Sequence, residues 1–319
     1  MVDFYRDCFR ADELIASIAK APYIPGRLAD PSIFTTRRLS GTTLALEDQA
    51  LNDAALITAT PRGTPSKAAT LNKRAVHTFT TAHYRKDGAV YADEVLNMRA
   101  VGMTGAREVI STRRDEVVAK LRRDMDLTLE SLRMACINAP SNAFGNAPAS
   151  AAVGFGSSDS AIRSAIFTNI IQPMESALLG IPYSGLLALC DDTFWAGLIE
   201  SKTIKETYLN QVQASALRGS TTEQVIFGGV TFERYRGAGT TVIASGKAKV
   251  IPVGVPEMFI QAFGPADTLD SVGMGAVGAP YYVNAYPIDE GNRGYYIEMQ
   301  SNPVMVCTRP AAVLTIGLS

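Results

Sequence analysis

His77 and His83 are the only imidazoles in the chain, so any histidine-based catalytic set has to run through one of them. Both fall in a polar, threonine-rich segment that reads as strand, on one face, with no cysteine near in sequence. Zinc needs more ligands than two imidazoles. Gly273, Gly275 and Gly278 complete a GxGxxG pattern, which cradles a pyrophosphate when a strand leads in and a helix follows. Here Pro265 precedes the glycines and Pro280-Tyr281-Tyr282-Val283 follows, so no helix opens and the segment reads as a glycine loop. Asp191 and Asp192 close an apolar run, where a metal pair or a helix cap fits; Asp192, ahead of Thr193, reads as the cap. Tyr281, Tyr282, Tyr286, Tyr295 and Tyr296 have basic company in Arg293 alone, so they read as packing residues and not as a base-stacking platform. The pairs Arg113, Arg114 and Arg122, Arg123 have the look of a nucleic-acid stripe, but Asp115, Glu116, Asp124 and Asp126 interleave with them. Mixed signs favour a solvated or subunit-bridging face. No catalytic, cofactor-binding or metal-binding residue is predicted, and no enzyme.

These residues hang on a definite series of elements. From Met1 to Arg38, Phe9, Leu14, Ile15 and Ile18 sit at helical spacing before Pro22, Pro25, Gly26 and Pro31 stop any helix. Such an arm has little core of its own, and either stays loose or lies on a neighbouring chain. Ser40 to Tyr84 reads as a long hairpin, with threonine and β-branched residues on both sides of Pro61-Arg62-Gly63-Thr64-Pro65. Its polar middle offers no hydrophobic face, so it needs support from outside its own domain. Gly105 to about Asn138 is the clearest helix. Ile110, Val117, Leu121, Met125, Leu132 and Cys136 mark one face and Val118 and Leu129 widen it, with Glu130 among the outward charges.

Ala139 to Ser160 is a small-residue connector. Beyond it come a helix over Ala161 to Leu179 with a bend or stop at Pro173, a strand over Tyr183 to Leu189, and helices at Asp192 to Glu200 and Thr203 to Leu217. Strands at Gln224 to Tyr235 and Ala248 to Pro252 are joined through Gly237 and Gly239, and a last run of strands fills Pro280 to Ile316, beside the long helix. The class is α+β.

Composition narrows the function. The chain has 319 residues, 47% hydrophobic and 19% charged, which is globular. Its 30 basic and 31 acidic residues leave a net charge of −1, without the basic excess of a phosphate-gripping protein. Cys8, Cys136, Cys190 and Cys307 are scattered and read as reduced, buried thiols of a cytosolic protein. Asp3, Arg6 and Asp7 precede any apolar stretch, unlike a secretory signal, and no apolar run approaches the roughly 20 residues that span a bilayer.

With arm, hairpin, long helix, mixed domain and terminal sheet in series, nearly the whole chain resembles the lambda-type phage major head proteins, the phage major capsid protein E family. Phe34-Thr35-Thr36, the Pro61 to Pro65 tip with its basic return, and the stretch from Tyr295 to Met305 carry the resemblance. The last of these is similar to the family's F-x-M-x-Q-S-x-P-x-M ending. The connector departs from it, being short and bland where the lambda protein carries additional strand sequence.

The resemblance implies an HK97-like capsid fold: N-terminal arm 1–40, extended hairpin loop 41–85, peripheral domain 86–156 and 284–319 with its spine helix, and axial domain 157–283. It implies a structural head protein that assembles with itself into hexamers and pentamers of an icosahedral shell around double-stranded DNA. Scaffold, portal and decoration proteins are the expected partners, DNA is enclosed without sequence-specific binding, and no cofactor or membrane is involved. The virion is the expected location, after assembly in the host cytoplasm. Candidate intersubunit contacts are Phe34, Thr35, Thr36, Pro61, Arg62, Gly63, Thr64, Pro65, Lys67, Arg113, Arg114, Arg122 and Arg123. The alternatives are an encapsulin-like cellular nanocompartment shell and a cytosolic nucleotide-binding enzyme using the Gly273 loop. An enzyme stays small and binds nucleotide; either shell forms closed particles.

Overall fold

The computed structural model describes residues 7–10, 13–15, 17, 26–47, 75–100, 106–148, 150–154, 159–201, 204, 224–237, 243–269, 277–289, 291 and 293–318. Strand β1 (Phe34–Arg38) follows a single helical turn at Arg27–Ala29, and a hairpin pairs β2 (Thr43–Glu47) with β3 (Val76–Thr80). Alternation along β2 turns Leu44 and Leu46 inward and leaves Thr43, Ala45 and Glu47 exposed. The two leucines pack with Phe79 on Ile260, Ala262 and Val306. The base of the hairpin therefore has a hydrophobic face, contrary to the expectation that its polar middle leaves it without one. Its tip, Pro61 to Pro65, and Lys67 lie outside the described residues.

Strand β4 (Tyr84–Tyr91) leads through helix α1 (Ala92–Ala100) to α2 (Ala106–Asn138), whose 33 residues make a rod about 50 Å long. The observed helix matches the expected one to within a residue at its start. Its buried face serves two cores in turn. Ile110, Val118, Leu121 and Met125 pack with Val90, Val283, Ile297 and Met299, and farther along Met134, Cys136 and Ile137 enter the larger core. Cys8, Phe9 and Leu14 belong to the first of these cores, with the Phe9 ring stacked 4.2 Å from that of Tyr295. The described start of the arm thus lies on its own chain, because an aromatic partner and a greasy helix end are already there.

After a short strand β5 (Ala151–Val153), α3 (Asp159–Ile166) runs through a π-type turn at Phe167–Ile171 into α4 (Gln172–Leu178). The wider turn accommodates Pro173, which lacks an N–H, without breaking the rod. Strand β6 (Gly185–Cys190) enters α5 (Asp192–Glu200). The cap is Asp191, one residue before the expected Asp192: its carboxylate accepts from Thr193 N at 3.1 Å and Gly246 N at 3.0 Å. Asp192 instead holds Arg234 Nε at 2.6 Å.

Of the helix expected over Thr203 to Leu217, residue 204 alone lies among the described residues. Strands β7 (Gln224–Phe227) and β8 (Val230–Arg234) form a hairpin turned at Gly228 and Gly229, both at positive φ, 60° and 84°. The expected single strand over Gln224 to Tyr235 is therefore two. Strand β9 (Lys247–Val253) pairs not with β8 but with β6, which lies between them.

The remaining strands, β10 (Phe259–Phe263), β11 (Tyr282–Pro287), β12 (Gly294–Ser301), β13 (Pro303–Cys307) and β14 (Leu314–Leu318), are shared among three sheets. The sheets run β1-β10-β13, β11-β12-β4 and β5-β14-β9-β6-β8-β7. The expected terminal sheet is thus split: β12 lies beside the helix with β11 paired to it, β13 joins the middle sheet, which also faces the helix, and β14 completes the largest one. All five residues of β10 are buried, since the hairpin base covers one face and α2 faces the other.

Strand β4 approaches α2 closely at Gly88, where an added Cβ would stand 2.5 Å from Val117 Cγ1. Gly88→Ala should cost about 1–3 kcal/mol in urea unfolding of the isolated subunit. Gly88→Ala with Val117→Ala should recover most of that loss; equal destabilisation in both would show that the contact is not the cause.

Candidate assembly surfaces

A polar node sits in the buried face of α2. Glu130 Oε1 accepts from Leu28 N at 3.0 Å and from the Tyr235 hydroxyl at 3.3 Å, while its Oε2 stands 3.4 Å from Arg133 Nη1. Arg133 Nε donates to Gln261 Oε1 at 3.0 Å, and Gln261 Nε2 to Thr36 Oγ1 at 2.6 Å. Arg27 reaches Glu233 at 2.6 Å, and Gly254 N donates to Ser32 O at 3.1 Å. The segment from Gly26 to Arg38 is therefore a strap tied to the long helix, to β8 and to β10. Gly26 is required for the approach, because a Cβ there would lie 2.2 Å from Glu130 Cδ. Burial, and then the Glu130 carboxylate, raise the Tyr235 hydroxyl pKa far above its ordinary value. At the end of α2, Lys249 Nζ donates to Asn138 O at 3.0 Å and so satisfies a terminal carbonyl, while burial lowers its pKa.

The expected contact residues are placed unevenly. The Phe34 ring is buried at 1% exposure, 5.2 Å from that of Phe259, and so serves the subunit's own core. Thr35 is half-buried and Thr36 is exposed apart from its bond to Gln261. Arg114 is turned inward, with 3% of its side chain exposed; it donates to Cys8 O at 2.5 Å and pairs with Asp115 at 2.8 Å. Arg113 pairs with Glu94 and Glu116, each at 2.9 Å. Arg122 lies 3.9 Å from Asp126 and over the Tyr281 ring at 5.8 Å. Arg123 is exposed. The four arginines thus fall on different sides of the helix instead of forming one stripe.

The reading by residue type missed the node. Glu130 was placed among outward charges, yet it falls four residues after Asp126, three before Arg133 and seven before Ile137, on the same helical stripe. Charges interrupting an apolar stripe were the available signal.

The remaining chemical candidates are dispersed. His77 meets the Phe144 ring edge-on at 4.8 Å, and His83 Nδ1 is 2.7 Å from Asn302 Oδ1. The Tyr281 hydroxyl donates to Asp126, and Tyr286 and Tyr296 rings lie 5.5 Å apart across β11 and β12. Residues 270–276 of the glycine loop lie outside the described residues, while Gly278 N donates to Leu39 O at 2.8 Å. The four cysteines are free and buried, and burial pushes the Cys307 thiol up to about 12. Among the described residues no group of three His, Cys, Asp or Glu gathers to hold a metal, and no helix is long and apolar enough to cross a membrane.

Glu130→Gln keeps an acceptor for Leu28 and Tyr235 but strips Arg133 of its anion, and should cost about 3 kcal/mol. Tyr235→Phe should cost about 1 kcal/mol; urea midpoints of the subunit check both. Asp126 tests pH. Burial raises its pKa above the ordinary value, against the opposing Tyr281 hydroxyl and Arg122. The folded chain then holds this proton more tightly than the unfolded chain. Its contribution is most favourable in acid and declines as pH rises through the folded pKa. Asp126→Asn should therefore gain stability on the wild type from acid to neutral pH, with parallel melting curves as the contrary result.

Comparison with known proteins places this architecture. No curated protein sequence matches the chain, but solved phage shells do share its fold. The capsid of Ralstonia phage GP4 matches at TM-score 0.55 and 11% identity, over 89% of this chain and 86% of that one. The capsid of cyanophage P-SCSP1u matches at 0.54 and 10% identity, over 90% and 86%. The mature capsid of bacteriophage PhiM1 matches at 0.52 and 13% identity, over 90% and 85%. At such identities these likenesses establish the HK97-like fold. Residues 10–317 match the model of the phage major capsid protein E family, whose members are structural proteins and not enzymes. By that match over nearly its whole length, the chain belongs to the phage major capsid protein E family.

Proposed function

We propose that this major capsid protein assembles with itself into hexamers and pentamers of a closed icosahedral shell around double-stranded DNA. The family match over residues 10–317 carries the reading. The near-neutral charge supports a container that encloses nucleic acid without gripping it, since firm binding to phosphates calls for a basic surface. Scaffold, portal and decoration proteins are the partners, and assembly takes place in the host cytoplasm.

Within the subunit, 1–40 serves as the arm, 41–85 as the extended hairpin, 86–156 and 284–319 as the peripheral domain, and 157–283 as the axial domain around the hexamer and pentamer centres. The hairpin base docks firmly on the middle sheet through Leu44 and Leu46. A rooted base suits a hairpin whose tip reaches a neighbouring subunit. Thr35, Thr36, Pro61 to Pro65, Lys67, Arg113 and Arg123 are the contacts assigned to neighbours.

Electron microscopy of the purified subunit, co-expressed with its scaffold, tests the assignment. Uniform closed shells are expected, and deletion of Pro61 to Pro65 should abolish or deform them. Monomers and dimers alone from the intact chain would overturn it.

A further inference from the structure

Among the described residues, arginines that are not exposed show a consistent pattern with one exception. Arg37 faces Glu257 at 2.5 Å, Arg113 faces Glu94 at 2.9 Å, and Arg114 faces Asp115 at 2.8 Å. Arg122 stands 3.9 Å from Asp126, Arg133 3.4 Å from Glu130, and Arg234 2.6 Å from Asp192. Arg309 is half-buried, its Nε is shielded from water and makes no hydrogen bond, and no acidic side chain pairs with it among the described residues. The carboxylate on the adjoining turn, that of Glu257, is already committed to Arg37.

The backbone around Arg309 is firmly held. Thr308 N donates to Met258 O and Thr308 Oγ1 to Glu257 O, both at 2.8 Å. On the other side Ala312 N donates to Arg309 O at 3.1 Å, and Pro310 and Ala312 are buried. The side chain is therefore presented from a rigid turn between β13 and β14, where binding an anion requires little further ordering.

We propose that Arg309 is half of an ion pair completed by a carboxylate side chain of a second copy of this chain. The proposal rests on the shell-forming reading above. A partly desolvated guanidinium without an anion raises the free energy of the isolated subunit, and a carboxylate brought by a neighbour relieves it. The planar fork suits a carboxylate, and the lowered guanidinium pKa, caused by burial, agrees with a charge short of compensation. The chain's 31 acidic side chains supply the complementary charge in every copy. A DNA phosphate is the less fitting anion: phosphates are gripped by sets of cations, and Arg37, two strands away in the same sheet, is already neutralised.

The test compares wild type, Arg309→Met and Arg309→Lys, by urea unfolding of isolated subunits and by the yield of closed shells on sedimentation and microscopy. Methionine keeps much of the stem and removes the charge. Its subunits should be at least as stable as wild type, yet give about tenfold fewer shells or worse, with weaker dependence of yield on salt. Lysine should restore part of the yield. Met-substituted subunits that are clearly less stable would show that the guanidinium is satisfied within its own chain, and would overturn the proposal. Wild-type shell yield from Arg309→Met would overturn it too, and loss of DNA retention from those normal shells would identify phosphate as the anion. Failure of the wild type itself to form shells with its scaffold would instead sink the shell-forming reading, and this pair with it.

Discussion

A carboxylate and a guanidinium set into the buried face of a long helix constrain everything placed against that helix. Glu130 and Arg133 leave water on folding, and each needs partners that only other segments provide. Leu28 and Tyr235 come to Glu130, Gln261 comes to Arg133, and Thr36 comes to Gln261. Apolar packing alone tolerates a helix that slides or rotates by a fraction of a turn. Directional bonds from three sides do not, so the node sets the register of α2 against both the strap and the sheets.

This fixed register matters because α2 belongs to two cores. Its first part is packed on β4, β11 and β12, and its last residues lie under the six-stranded sheet. The node falls near the passage from one to the other. Lys249, bound to the last carbonyl region of the helix, ties that end to β9. The hairpin base and β10 then stack on the same beam, so the β2–β3 pair inherits its position from the helix.

Much of this was legible in the residues, and the failures have physical causes. The long helix is written in an apolar period sustained over nine turns, and alternation in β2 was visible in Leu44 and Leu46 even though neighbouring polar residues masked its meaning. What composition does not disclose is pairing at a distance. The choice of β6 over β8 as partner of β9, and the dispersal of the last strands among three sheets, depend on contacts over long sequence separations. The cap at Asp191 was missed by one residue because two adjacent aspartates present the same chemistry to the same helix end. For the assembly residues, chemistry alone put Arg114 on the surface; the structure turns it to Cys8 O, a partner on an arm that local patterning could not bring there.

The position of β14 carries a consequence for how the subunit is made. It lies between β5 and β9 in the largest sheet, yet it follows every other strand in the chain. Strand β5, made more than 150 residues earlier, has β14 as its sheet partner and waits unpaired while the rest is synthesised. Closure of that sheet is therefore a late, high-contact-order event, slow relative to formation of the long helix. A polypeptide interrupted anywhere before Leu314 leaves the edges of β5 and β9 open and its largest sheet in two pieces. Vectorial synthesis thus imposes a quality check of its own: the largest sheet acquires its finished shape only after β14 has been translated.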